Sequence, residues 1–427
     1  MSDSLGVYIS VPFCRAKCTY CNFASGVLGA GTSGAARIER YVDRMCAEIG
    51  GARAAAERMR AKFAGVRLPE RVDTIFFGGG TPSLLSAGQM RCLFMALRSE
   101  FDVAADAEVT LECAPGQVDS ETLDEMLRQG MNRVSFGVQS FVDAEAAGVG
   151  RLHTREMCFS EIARMRAAGI SDINVDLIVG LPRQTAESWR ESVSVASETG
   201  VPHVSMYMLE VDEDSRLGRE ILGAGSLEQG AGRRLKYGAS DVPSEDEIAE
   251  WYGAACDWLD ASGVRQYEIS NFAREGFASR HNRKYWRREP YVGFGLDAHS
   301  MLRDGVGGVR WANGDDLEGY LTEGQGRLST ELRTLPMLGD QRDVARIGRE
   351  KAFEETMFLG LRMNEGVDFE ALRVEFGEGL MRDAMVALDD VEAAGMVVRD
   401  GSRVRLTARG RMASNEVFSR LLVGAAA

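Results

Sequence analysis

The sequence predicts an α/β protein with a wound or barrel-like parallel sheet, a middle extension, and a small C-terminal domain of helices and a hairpin. Three observations carry this. In the first half, short apolar, β-branched runs alternate with helical patterns, and repeated strand–helix units imply right-handed crossovers and a parallel sheet. Most of these runs lack clean polar alternation, as expected of strands covered by helices. Finally, polar and chemically active residues recur where these runs end, and ligands bind at the carboxyl ends of strands in such sheets.

The strand candidates, in order, are Val7–Val11, Thr74–Phe77, Glu108–Glu112, Arg133–Val138, Ile173–Val179 and His203–Leu209. Between them Tyr41, Val42, Met45, Cys46 and Ile49 form one apolar helical stripe, and Met90, Leu93, Phe94, Leu97 and Phe101 a second. Ser86 with Gln89 three residues on is a capping-box pattern for that second helix. Asp119 and Thr154 are N-cap candidates, with Gly130 and Gly169 as stops. Residues 222–245 are rich in Gly, Ser and charge and read as a linker or surface loop. We therefore divide the chain into 1–240, a middle region 241–345, and 346–427. The last part shows helical patterns over Lys351–Leu361 and Met381–Glu392. Asp400-Gly401 between alternating arms is a type I′ hairpin signal, so this part is expected to be winged-helix-like.

The chain has 427 residues and a formal net charge of −14, with 45% hydrophobic and 27% charged residues. That charge argues against general nucleic-acid binding, which usually needs a basic stripe. No apolar stretch approaches the ~20 residues that span a bilayer. The opening MSDSLGVYIS lacks a basic segment followed by an apolar core, so a cytoplasmic location is expected.

Cys14, Cys18 and Cys21 lie directly after the first strand candidate, in the spacing C-x3-C-x2-C. Three closely spaced cysteines leave one over from a disulfide. A structural zinc site needs a fourth ligand, and the nearest histidine in sequence is His153. Three thiolates can instead cap three corners of an iron–sulfur cube and leave one iron open to a small molecule. The remaining Cys46, Cys92, Cys113, Cys158 and Cys256 are scattered and are assigned to core packing.

Other motifs fall at predicted strand ends. Gly78-Gly79-Gly80-Thr81-Pro82 follows the second strand; such glycines either let backbone approach a ligand or make a tight turn. Glu112 can accept hydrogen bonds from ribose hydroxyls or simply be a solvated carboxylate. Gln139, Arg151 and Asp176 can hold a zwitterionic ligand or form an ion pair. Further on, His281-Asn282-x-x-Tyr285-Trp286 combines an imidazole suited to heme iron with two flat rings. Arg280, Arg283, Arg287 and Arg288 can meet propionates. The competing reading is a hydrogen-bonded loop with a packed Trp286. His299 is a second candidate for that ligand, but is expected to be a buried structural histidine. The C-terminal Arg399, Arg403, Arg405, Arg409 and Arg411 suggest nucleic-acid contact by a wing or a solvated hairpin face; given the acidic whole, a docking module that covers the open barrel is expected.

The cysteine spacing resembles that of the radical S-adenosylmethionine (SAM) superfamily. The resemblance implies a partial (β/α)6 barrel open on one side, a 4Fe-4S cluster on Cys14, Cys18 and Cys21, and SAM chelated to the open iron. The run from Tyr8 to Asp176 is similar to oxygen-independent coproporphyrinogen III oxidases. Carried over, this implies Tyr8, Tyr20, Gly79 and Glu112 at a cluster-bound SAM, and Gly80, Thr81, Gln139, Arg151 and Asp176 at a second SAM. Those oxidases carry a fourth cysteine where this chain has Phe23. YCNF and the H-N-x-x-Y-W stretch resemble the HemW-type heme-chaperone branch instead. That resemblance implies heme at His281, Asn282, Tyr285 and Trp286, a heme-acceptor protein, an electron donor and a possible homodimer. Radical decarboxylation of porphyrinogen propionates is the alternative activity.

Overall fold

The computed structural model describes residues 4–29, 32–225, 236–322 and 342–421. Six strands match the six sequence-predicted runs: β1 (Leu5–Val11), β2 (Arg71–Gly79), β3 (Asp102–Cys113), β4 (Arg133–Gln139), β5 (Asp172–Val179) and β6 (His203–Met208). Each pairs in parallel with the next. Val7, Ile9, Ile75, Phe77, Val134 and Val175 share one face of these strands, buried under the helices, while the alternate positions Tyr8, Thr110, Glu112, Ser135, Asn174 and Asp176 face the lumen, so the strands alternate where runs without polar alternation were expected. The expected caps form: Ser86 and Gln89 bond reciprocally, and Asp119 and Thr154 accept from the third residues of their helices.

The middle region extends the same sheet at both ends. β7 (Arg265–Glu268) and β8 (Asn271–Ala273) add beyond β6, with β8 antiparallel to β6. On the other side β9 (Tyr291–Phe294) runs parallel to β1, followed by antiparallel β10 (His299–Arg303), β11 (Gly308–Ala312) and β12 (Arg342–Ile347). The result is one twelve-stranded sheet whose central strands form the partial barrel. A buried polar knot ties the Thr32–Gly50 helix to this extension. Tyr41 Oη donates to Ser10 O (2.8 Å) and accepts from Leu296 N (2.8 Å). Between β8 and β9 the helix Arg280–Trp286 crosses the base of the barrel.

The C-terminal part has its own core, built on Phe353, Met357, Leu372, Leu388 and Leu406. Its strands β13 (Val367–Asp368), β14 (Val397–Asp400) and β15 (Arg403–Leu406) make a small antiparallel sheet beside helices Arg349–Arg362 and Glu378–Ala393. Gly401 turns the hairpin at φ 60°.

Three expectations are corrected. Within 222–245, a helix, Arg216–Gly225, occupies the start and Ser244 caps another, Glu245–Ala261, at the end; residues 226–235 lie outside the described residues. Cys92 is exposed rather than packed in the core, because its position on the Ala87–Glu100 helix lies off the stripe of Met90, Leu93, Phe94 and Leu97. His299 is exposed rather than buried.

Candidate cluster and cofactor site

The cysteine loop leaves β1 at the carboxyl end of the barrel. Phe13–Cys14 pairs with Gly26–Val27 and closes the loop on itself. Lys17 Nζ donates to Phe23 O (3.1 Å) and Ser25 O (3.0 Å) inside it. Neighbouring loops hold it from outside: Thr19 N donates to Val149 O (3.1 Å), Leu217 N to Thr19 O (2.8 Å), and Asn22 Nδ2 to Asp212 (2.7 Å).

The glycine-rich segment acts as the loop's clamp. Gly80 N donates to Val11 O and Thr81 N to Phe13 O, both at 2.8 Å. A Cβ on Gly80 would stand 2.7–2.9 Å from Phe13 O, Val11 O and Phe13 N. Glycine is needed here for backbone-on-backbone packing. The Thr81 side chain hydrogen-bonds the Cys14 thiol. Gly80 and Thr81 therefore spend these groups on the cysteine loop, which takes their backbone N–H groups away from the second SAM that the resemblance implies.

All eight cysteines are free thiols, and Cys14, Cys18 and Cys21 stand within electrostatic range of one another. Among the described residues no three His, Cys, Asp or Glu side chains converge tightly enough for a single metal ion. A cuboidal cluster asks for a different arrangement, since each thiolate binds its own iron and the thiols surround a volume rather than a point. The donor set and its loop suit such a cluster. Arg151 Nη1 lies 3.5 Å from Cys18 Sγ, and Nη2 donates to Gly137 O. Its Nε is buried without a partner, a donor available to an anionic ligand group. Tyr20 rests on Val149, Ile178 and Leu181 and faces Cys18.

Glu112 and Asp176 lie close across the lumen. Burial, and then the Asp176 charge, push the Glu112 carboxyl up to about 8, although it accepts from Gly79 N. Burial also raises Asp176, which is held by Ser135 Oγ (3.1 Å) and Asn174 Nδ2 (2.8 Å). Gln139 ends β4 at φ 71°, a left-handed conformation that non-glycine residues adopt mainly where function or packing imposes it. Tyr8 stacks on Phe76 with centroids 6.0 Å apart. Below Asp176 runs a polar column that the sequence reading missed: Asn174 Oδ1 meets His203 Nδ1 (2.6 Å), and His203 Nε2 meets Tyr267 Oη (3.0 Å). The polar residues at 135, 174, 176, 203 and 205 inside otherwise apolar strands were its sequence signal.

This geometry yields a pH prediction. In the ligand-free protein Glu112 is mostly protonated at neutral pH, so the native state binds a proton that the unfolded chain releases near 4.5. Its contribution to stability therefore falls as pH rises from about 4.5 to about 8. A cationic ligand beside Glu112 favours the carboxylate. SAM affinity of the cluster-loaded protein is expected to rise with pH up to about 8, with proton release measurable by calorimetry in buffers of differing ionisation enthalpy. Glu112→Gln should flatten that slope.

The H-N-x-x-Y-W residues occupy the Arg280–Trp286 helix at the barrel base. His281 is 1% exposed. Its Nδ1 meets Thr74 Oγ1 and its Nε2 meets Tyr285 Oη, both at 2.9 Å, and its ring stacks on Phe76. Burial and the Lys284 charge push it down to about 3, so it is neutral with both nitrogens engaged. Glu108 accepts from Ser279 Oγ, Arg280 N and His281 N. Asn282 N donates to Ser279 Oγ (3.2 Å). Trp286 packs under the Arg362 guanidinium, 4.3 Å from the ring centroid. An iron would have to displace Thr74 or Tyr285 to reach His281.

The Radical SAM superfamily model matches residues 8–196 and the HemN C-terminal domain model residues 348–413. Heme chaperone HemW of Bacillus subtilis (strain 168) is 31% identical, covering 97% of this chain and 98% of that protein. The HemW of Synechocystis is 32% identical over 86% of this chain and 79% of its own. Among solved structures, Escherichia coli coproporphyrinogen III oxidase HemN aligns with a TM-score of 0.77 at 22% identity, covering 98% of this chain and 90% of that one; this likeness shows the fold. The radical SAM family implies a 4Fe-4S cluster and SAM. With two of its HemW relatives above 30% identity across most of both chains, this chain belongs to the HemW family of the radical SAM superfamily.

Proposed function

We propose that this protein is a heme chaperone that binds heme and passes it to an acceptor protein, on a scaffold holding a 4Fe-4S cluster and SAM. The observation that carries this reading is the full-length likeness to proteins named heme chaperone HemW. Phe23 supports it: it stands 60% exposed where the oxidases place a fourth cysteine. Cys14, Cys18 and Cys21 hold the cluster. The cluster, when bound, supplies an open iron for SAM and a low-potential electron.

The residues around it do the positioning. Gly79 and Gly80 bring backbone against the loop, and Glu112 and Tyr8 face the cluster-bound SAM. Tyr20 covers Cys18. Arg151, Gln139 and Asp176 line the adjoining volume, where the unpartnered Arg151 Nε is a donor for a second carboxylate. An electron donor serves the cluster. No helix among the described residues is long and apolar enough to cross a membrane.

The test is anaerobic reconstitution followed by two assays: hemin titration followed in the Soret band, and incubation of coproporphyrinogen with SAM and a reductant. Tight hemin binding with transfer to an apo-hemoprotein and no decarboxylation is expected. Decarboxylation at enzymatic rates without hemin binding would overturn the reading.

A further inference from the structure

Glu112 and Asp176 share the lumen but are held differently. Glu112 accepts from a backbone group, Gly79 N. Asp176 is gripped by side chains: Ser135 Oγ donates to Oδ2 (3.1 Å) and Asn174 Nδ2 to Oδ1 (2.8 Å). Parallel pairing brings these groups together. Ser135 of β4 lies opposite Asn174 of β5, and His203 and Ser205 of β6 lie opposite Asn174 and Asp176. Side chains alternate along a strand, so all five share the lumen face.

Behind Asn174 the polar column fixes the direction of every bond. An amide has a donor end and an acceptor end. Asn174 Nδ2 faces oxygens of Asp176, Ser135 (2.7 Å) and Ser205 (3.0 Å), and the reverse orientation would set Oδ1 against a carboxylate. Oδ1 therefore faces His203 Nδ1, 2.6 Å away. This oxygen can only accept, so Nδ1 carries the proton. Burial, aided by the Arg133 charge, holds the His203 imidazole well below its usual range. The ring is neutral and its Nε2 is bare. Nε2 accepts from Tyr267 Oη (3.0 Å), which accepts in turn from Ser279 N (3.2 Å). The chain is one-way: Ser279 N to Tyr267, Tyr267 to His203, His203 to Asn174, and Asn174 to the Asp176 carboxylate. Bonds polarised in one sense strengthen one another where the dielectric is low. His203, Asn174, Ser135 and Ser205 are all buried.

We propose that His203 and Tyr267 are positioning residues of the SAM site: with its proton on Nδ1 and a phenol behind it, His203 locks the Asn174 amide, and the amide holds the Asp176 carboxylate in one orientation toward the ligand. Both residues act through Asn174 and need no contact with the ligand. The groups that gain from a carboxylate fixed in this way are cationic or hydroxyl-bearing, as the ammonium, sulfonium and ribose of SAM are. This inference rests on the reading of the lumen as a SAM site.

The experiment uses the full chain and two measurements. Nitrogen-15 NMR of the histidine-labelled protein, with the His203 signals assigned by their loss in His203→Leu or His203→Asn, is expected to show the Nδ1–H tautomer. The Nε2–H tautomer would overturn the proposal, because Asn174 would then turn its nitrogen to His203 and its oxygen to Asp176. SAM is then titrated calorimetrically into the anaerobic, cluster-loaded wild type, Tyr267→Phe, His203→Leu and His203→Asn, each beside its thermal melt. Leucine fills the space without a donor, whereas the asparagine amide nitrogen takes the place of Nδ1. His203→Leu should weaken SAM binding by about tenfold, the effect of freeing an amide that bonds a charged group. Tyr267→Phe should weaken it less, and His203→Asn should stay near wild-type affinity while melting earlier. Affinity that tracks melting temperature across the variants, or wild-type affinity in His203→Leu, would overturn the positioning role and leave the SAM reading intact. Absence of SAM binding by the cluster-loaded wild type would overturn both.

Discussion

Simultaneous Cys14→Ser, Cys18→Ser and Cys21→Ser substitution is expected to remove the cluster entirely. After anaerobic reconstitution, iron and acid-labile sulfide should fall to background, and the broad charge-transfer absorption and the Mössbauer signature should vanish. SAM binding should fall with them, because the open iron is its anchor. Melting should change little, since the loop is held by the Phe13–Cys14 and Gly26–Val27 pairing, by the backbone N–H groups of Gly80 and Thr81, and by Asn22 to Asp212, none of which uses a thiol, and a serine hydroxyl can keep the side-chain bond from Thr81. Hydroxyl oxygen is a poor match for a site that soft thiolates define. Retention of a cluster in the triple variant would remove the ligand assignment.

The second large effect is on stability. Glu355 sits at 3% exposure and accepts from Arg288 Nε (3.1 Å) and Arg310 Nη2 (2.9 Å). It joins the barrel base to the Arg349–Arg362 helix. Arg288 is 2% exposed, and one of its terminal nitrogens already lacks a partner. Burial holds its guanidinium below the usual arginine range. Glu355→Ala leaves that cation buried without its carboxylate, which is expected to cost roughly 3–5 kcal/mol. Denaturant unfolding with the C-terminal core as probe should report it. The double variant Arg288→Met, Glu355→Leu should recover most of the loss, because replacing both partners by apolar groups removes the uncompensated charge. A single variant that unfolds like wild type would show that water reaches Arg288.

The parallel strands were legible because Val, Ile, Leu and Phe recur at every second position on the face that the helices cover. The boundaries were less so: β3 begins at Asp102, six residues before the sequence-predicted Glu108, because that first stretch is mostly exposed or half-buried and its Val, Ala and Asp residues show no apolar period. Strands β7 to β11 were passed over; each spans only three to five residues, too few to show a period. The cysteine loop was readable from spacing alone, since its ligands are neighbours in sequence. The fate of His281 was not, because its partner Thr74 lies 207 residues away. Which of four imidazoles remains accessible is decided by such distant pairings, and a motif carries no record of them. For the same reason the polar column beneath Asp176 appeared only as isolated hydrophilic letters in apolar strands.

The stretch from Arg274 to Pro290 leaves one rim of the central sheet, at β8, and arrives at the opposite rim, at β9. On the way it is fastened to Ser4, just ahead of β1, through Lys284, to β2 through Thr74, and to β3 through Glu108. Mechanically this is a tie rod across an arch. Its length limits how far the two rims can spread, so it sets the curvature of the arch and the width of the aperture above. Family members that lengthen or shorten this one span would gain a wider or narrower opening without altering a single side chain around the cluster.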